Sequence, residues 1–160
     1  MKKTKLIQNR GVSRPSAFEG PHGTFRFIDI GDKSRTKVVG PHGMRGELEF
    51  GPSAPGPFGE VIGQIDDSKV VFRYRPWGSM EPGRHSFEIR YEGAEYTLVA
   101  RGRRPVPQLE NTDGLVLAMF GKRSGSASRV LNPDEDVLVA LIAGSGVADV
   151  TLPQGWLARH

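Results

Sequence analysis

The chain has 160 residues, no cysteine and a formal net charge of +4. Lack of cysteine excludes a disulfide framework, a thiolate zinc site and a cysteine nucleophile, and no apolar run approaches the roughly 18 residues that a membrane-spanning helix needs. A chain of this length buries about two-thirds of its unfolded surface as one domain, so it can fold without a staple.

The charge is unevenly spread. Lys2, Lys3, Lys5, Arg10 and Arg14 fall within residues 1–14, which hold no acid. Set these five aside from the 22 basic residues, and the 17 that remain face 18 acids. The basic character therefore belongs to the N-terminal segment and the rest is close to neutral. That segment has only Leu6-Ile7 as an apolar pair, too little for a secretory leader. The reading is a basic flexible arm over residues 1–19, a single β-rich domain over 20–160 and a cytoplasmic protein.

Glycine and proline recur along the chain at the rhythm of short strands and turns. Thr24–Ile30 alternates, with Phe25 and Phe27 on one side. Thr36–Val39 and Arg45–Phe50 are two further strand candidates. The three prolines of Pro52–Gly59 make an irregular loop. Glu60–Ile65 and Lys69–Trp77 follow, joined by a turn at Asp66-Asp67-Ser68.

Ser86–Gly102 carries the strongest hairpin pattern. Phe87, Ile89 and Tyr91 alternate with polar residues, Gly93 interrupts, and Tyr96, Leu98 and Ala100 resume the alternation. Arg103–Asp113 contains two prolines and reads as a connection. Leu115–Phe120 and Ala127–Leu131 read as strands.

Asn132-Pro133-Asp134-Glu135 then has the composition of a helix start. Asn132 suits the cap, Pro133 the first helical position and Glu135 the third, where it can close a capping box. The acids also suit the positive end of the helix dipole. Val137–Ala143 has no polar face, so it should be buried all round; Gly144 or Gly146 can end it. A buried central strand is the alternative for this run. The expected fold is mainly β, an antiparallel curled or closed barrel around a hydrophobic C-terminal helix.

The string of short strands from Thr24 to Leu131, and the ending Gly114–Ala118, Arg129–Leu131, Asn132–Ala143, resembles the tubby C-terminal-like superfamily. That superfamily includes the LURP-one-related proteins and the phospholipid scramblases. The resemblance covers about residues 24–150. It implies a twelve-stranded closed barrel around an apolar helix, and an association with membrane phosphoinositides or other lipid.

Catalytic motifs are not assembled by the sequence. Gly144-Ser145-Gly146 lacks the spacing of a nucleophile elbow. Gly121–Ser126 is glycine-rich and basic but lacks phosphate-loop spacing. The tetrapeptide Gly-Pro-His-Gly occurs at Gly20–Gly23 and again at Gly40–Gly43. Two turns are a better reading than a metal site, because no ligand motif accompanies His22 and His42. Asp66 and Asp67 likewise read as turn residues, and Glu47 and Glu49 as the wet side of a strand. Arg73-Tyr74-Arg75 interleaves base and aromatic as single-strand binders do, but Tyr74 reads better as one face of an alternating strand.

The expected function is therefore a non-catalytic binding module of tubby-like type, with no cofactor and no metal. Arg101, Arg103, Arg104, Lys122 and Arg123 are the candidate ligand-binding residues. An anionic membrane surface or another polyanion is the candidate ligand, assisted by the basic arm (Lys2, Lys3, Lys5, Arg10, Arg14). The alternative is a structural or protein-interaction domain, with the arm or the 52–59 loop as the contact to a protein partner in a larger assembly.

Overall fold

Antiparallel hairpins build the molecule in chain order. In the computed structural model, residues 2–8, 15–28, 35–50, 60–76, 85–121, 124–127 and 132–152 are described. The strands are β1 (Lys2–Gln8), β2 (Pro15–Gly20), β3 (Gly23–Ile28), β4 (Arg35–Val39), β5 (Arg45–Glu49) and β6 (Glu60–Ile65). They continue with β7 (Ser68–Pro76), β8 (His85–Tyr91), β9 (Ala94–Arg101), β10 (Val106–Asn111), β11 (Val116–Phe120) and β12 (Ser124–Ala127). One α-helix follows, α1 (Pro133–Ser145), and then a 3₁₀ turn, Val147–Thr151. The protein is thus mainly β, an antiparallel sheet with one short helix.

Each strand from β2 to β12 pairs with the next. β1 pairs on one side with β2, where Leu6 lies opposite Phe18, and on the other with β12, where Lys5 lies opposite Ser124. The period-two pattern is plain in β6, whose Val61, Gly63 and Ile65 are buried between exposed Glu60, Ile62 and Gln64. Val61 and Ile65 point to the same face as Phe72, Phe87, Ile89 and Leu98, all buried, as alternation requires. Phe87 packs edge-on against Phe72 and Tyr74, with ring centroids 6.2 and 5.5 Å apart. Each such side chain contributes roughly 1.5–3 kcal/mol by leaving water.

The helix-against-strand question at residues 137–143 is resolved in favour of the helix. Asn132 caps it: its side-chain oxygen accepts the Glu135 N–H at 2.7 Å, and its own N–H donates to Glu135 Oε1 at 3.2 Å. The reciprocal box, with Pro133 in the first turn, is the one the sequence spells out. Gly146, at φ +78°, ends the helix in the left-handed conformation. Val137 through Ile142 are at most 1% exposed. α1 packs on β2 through β6, and the 3₁₀ turn packs on β8, β9 and β10. The apolar face of the sheet is covered by these two elements in succession.

Three expectations are corrected. Residues 1–19 are not an arm apart from the sheet, because Lys2–Gln8 and Pro15–Gly20 are strands of it. The positions of β1 are set by ladder bonds to β2 and β12, a relationship that composition within the segment does not carry. Arg103–Asp113 is not merely a connection, since Val106–Asn111 forms β10 despite Pro107. Pro107 pairs with Ala100 of β9, and the ladder to β11 begins only at Gln108; a proline is tolerated where the sheet asks for no N–H. The last strand begins at Ser124, not Ala127, and residues 128–131 lie outside the described residues, as does the 52–59 loop.

Candidate functional site

The β9–β10 turn positions three of the five ligand-binding candidates. Arg101 is the last residue of β9, and Arg103 and Arg104 follow in the turn, both exposed. Gly102 takes φ +101° there, a conformation that costs glycine little.

Arg101 is committed elsewhere. Its Nε donates to Glu110 Oε2 at 2.6 Å and its Nη2 to Glu110 Oε1 at 3.1 Å. The Gln108 amide donates to the same Oε2. The pairing register shows the direction this takes. Val106 is opposite Arg101, Gln108 opposite Val99, and Glu110 opposite Thr97. To reach Glu110, the Arg101 side chain must run back along the outer face past the Val99–Gln108 pair, away from the turn. Val99 is 1% exposed on that face, as expected beneath an arginine stem. Burial by itself would raise the Glu110 pKa, but the hydrogen bonds from Arg101 and Gln108 and the arginine charge outweigh it and hold the carboxyl below its ordinary value.

Four further strand arginines are matched across strands, whereas Arg26 and Arg45 make no ion pair among the described residues. Arg73 pairs with Glu60 at 3.6 Å, Arg75 with Glu88 at 3.2 Å, Arg35 with Glu47 at 3.6 Å and Arg90 with Glu95 at 3.2 Å. Such exposed pairs stabilise the fold little, but they consume the charge. Arg103 and Arg104 make no ion pair among the described residues.

Lys122 and Arg123 lie outside the described residues, as do Arg10 and Arg14. The strands that flank them are described. β11 ends at Phe120 and β12 starts at Ser124. β9 and β11 run parallel to one another on either side of β10, so their C-terminal ends lie at one end of the sheet, about 10 Å apart by ordinary strand spacing. Lys5 of β1 is level with Ser124 in the neighbouring ladder, and Glu19 lies opposite Lys5 on its other side. Strand order therefore brings the β9–β10 turn, the end of β11, the start of β12 and Lys5 of β1 into one sector of the sheet.

The other candidates serve the fold. Asp66 closes the β6–β7 turn at φ +51°; its Oδ1 accepts the Arg45 N–H at 3.0 Å. Tyr74 is 9% exposed and packs on Phe87. The two Gly-Pro-His-Gly segments are turns at one end of neighbouring hairpins. A Cβ added at Gly23 would come within 2.8 Å of the Pro41 ring, so the turns abut. The His22 N–H donates to Asp136 Oδ2 of α1 at 3.0 Å. Among the described residues no group of three or more His, Asp or Glu could hold a metal.

Sequence reasoning missed the polar ties that seat α1. Tyr96 of β9 donates to Glu135 Oε2 at 3.1 Å. Burial first, then the charges of Asp134 and Glu92, push the pKa of Tyr91 on β8 up to about 12. The only advance signal is the run of acids in the first helical turn, which the dipole also explains.

Comparison with known protein families, with characterised proteins and with solved structures yields no match for the chain. Among the described residues no helix is long and apolar enough to cross a membrane.

Proposed function

We propose that the protein is a non-catalytic binding module of tubby-like type, a closed barrel around α1, that engages an anionic lipid surface or a similar polyanion from the cytoplasmic side. The ladder between Lys2–Lys5 and Ser124–Ala127 supports the closed form. The buried run Glu135–Ile142 of α1 lies against the apolar side of the sheet, so recognition falls to the outer face and the two ends. The carrying observation is the pair Arg103 and Arg104, exposed side by side at a turn and without an ion pair among the described residues, where five of the strand arginines are each matched to a glutamate. Lys122 and Arg123 follow in sequence between the end of β11 and the start of β12, and Lys5 holds the β1 position opposite Ser124.

Vesicle co-sedimentation tests this reading. The native chain should sediment with phosphatidylcholine vesicles containing phosphatidylglycerol, and not with phosphatidylcholine alone, at physiological salt. Arg103→Glu/Arg104→Glu should weaken binding at least tenfold, since each reversal removes an attraction of roughly 1 kcal/mol and adds a repulsion. Failure of the native chain to bind would overturn the lipid reading and direct the search to a protein partner.

A further inference from the structure

Glu110 accepts three hydrogen bonds, two from Arg101 and one from Gln108. Among the described residues it is the one buried carboxylate on a strand, the others, Glu135 and Asp136, belonging to α1; its side chain is 8% exposed, whereas Arg101 keeps half of its own surface open. The other cross-strand pairs join two exposed side chains; in the Arg90–Glu95 pair, for instance, these are 68% and 54% exposed. Arg101 differs again in where it goes. It starts beside the turn that holds Arg103 and Arg104, and Glu110 draws it back along β9, past Val99, by a two-pronged contact.

We propose that Glu110 is a built-in competitor for the anion-binding end of the sheet, holding Arg101 out of the cluster that Arg103 and Arg104 begin. This rests on the function proposed above and deepens it. A carboxylate and a phosphate oxygen pair ask the same thing of a guanidinium, two parallel N–H donors. Arg101 can satisfy one of them at a time. With Glu110 in place, an incoming lipid phosphate meets two free arginines. With Glu110 neutral, Arg101 loses its bidentate partner, and its flexible stem allows it to turn toward the end of the sheet as a third. Glu110 thereby sets how much negative charge a surface must present before the module binds it.

Co-sedimentation with phosphatidylcholine vesicles containing a graded fraction of phosphatidylglycerol, at physiological salt, reads this directly. Glu110→Gln should bind about fivefold more tightly than the native chain, the gain of one added arginine at an anionic surface. Arg101→Gln/Glu110→Gln, which leaves the net charge unchanged, should bind as the native chain does, within about twofold. Glu88→Gln removes an acid matched to Arg75 and controls for net charge; it should gain less than twofold, because Arg75 lies on β7, away from the sector.

Equal gains for Glu110→Gln and Glu88→Gln, or a gain that survives in the double variant, would overturn the competitor role while leaving the lipid reading intact. A double variant that binds several-fold more weakly than the native chain would also overturn it, by showing that Arg101 already takes part. Lack of binding by every form would sink both. Should Glu110→Gln fail to give a cooperative thermal melt, Glu110→Asp keeps the charge and shortens the reach; it should then show the gain in reduced measure, and no gain would count against the proposal.

Discussion

The Tyr96 hydroxyl on β9 and the Glu135 carboxylate on α1 meet at 3.1 Å across 39 residues of chain, both buried. One oxygen of Glu135 closes the capping box and the other accepts from the strand. The cap that starts the helix is thus also the bolt that seats it against the sheet.

Tyr96→Phe should cost about 1.5–3 kcal/mol, the range for a buried hydrogen bond to a charged group. Urea denaturation followed by circular dichroism measures it. Glu135→Gln should cost less, because the amide oxygen can still accept from the Asn132 N–H while its NH2 donates to the Tyr96 hydroxyl oxygen. In a double-mutant cycle the two changes should couple by more than about 0.5 kcal/mol; additive losses would show that the bond does not hold in solution.

Glycine at Gly46 is required by close approach and not by its backbone angle. A Cβ there would stand 2.6 Å from Val137 Cγ1 and 3.0 Å from Leu141 Cδ1. Both neighbours are fully buried and cannot swing aside. Gly46→Ala, which favours a strand by intrinsic preference, should instead destabilise by about 1–3 kcal/mol through overpacking. Restoring room with Val137→Ala in the same chain should recover part of that loss in a thermal melt, although Val137→Ala alone destabilises.

What could be read from sequence was local. Glu92 and Gly93 both take positive φ in the β8–β9 turn, and a glycine between two alternating runs announces such a turn. Asn132, Pro133 and Glu135 spell a capping box within four residues. What could not be read was set across the sheet. β1 has a weak pattern of its own and takes its place from two neighbours. β10 was hidden by Pro107 within it and Pro105 just before it, and with it the partner of Arg101. The pairing of Arg101 with Glu110 was therefore invisible until the register put Glu110 opposite Thr97. The sector that joins the β9–β10 turn to β12 and β1 likewise follows from strand order alone.

Burial all round makes Leu141 a severe test of the helix. Leu141→Ala should cost about 2–5 kcal/mol, a lost side chain plus the cavity it leaves. Leu141→Asp should abolish the cooperative transition, because a carboxylate there has no partner and no water. A soluble Leu141→Asp protein that melts near the native temperature would refute the placement of α1 against the sheet.

Tyr91 should give the fold an alkaline limit. Its pKa stands near 12 in the folded chain against about 10 for an exposed tyrosine. The folded state therefore favours the neutral phenol. The sign follows from that: the stabilisation is complete below about pH 10 and is lost as pH rises towards 12. Stability of the native chain, measured by urea denaturation between pH 9 and 12, should fall along this window. Tyr91→Phe, which has no phenol to ionise, should lose less between pH 10 and 12. Parallel decline of the two proteins would mean that Tyr91 ionises as an exposed tyrosine does, and that the acids around it, Asp134, Glu92 and Asp66, do not act on it.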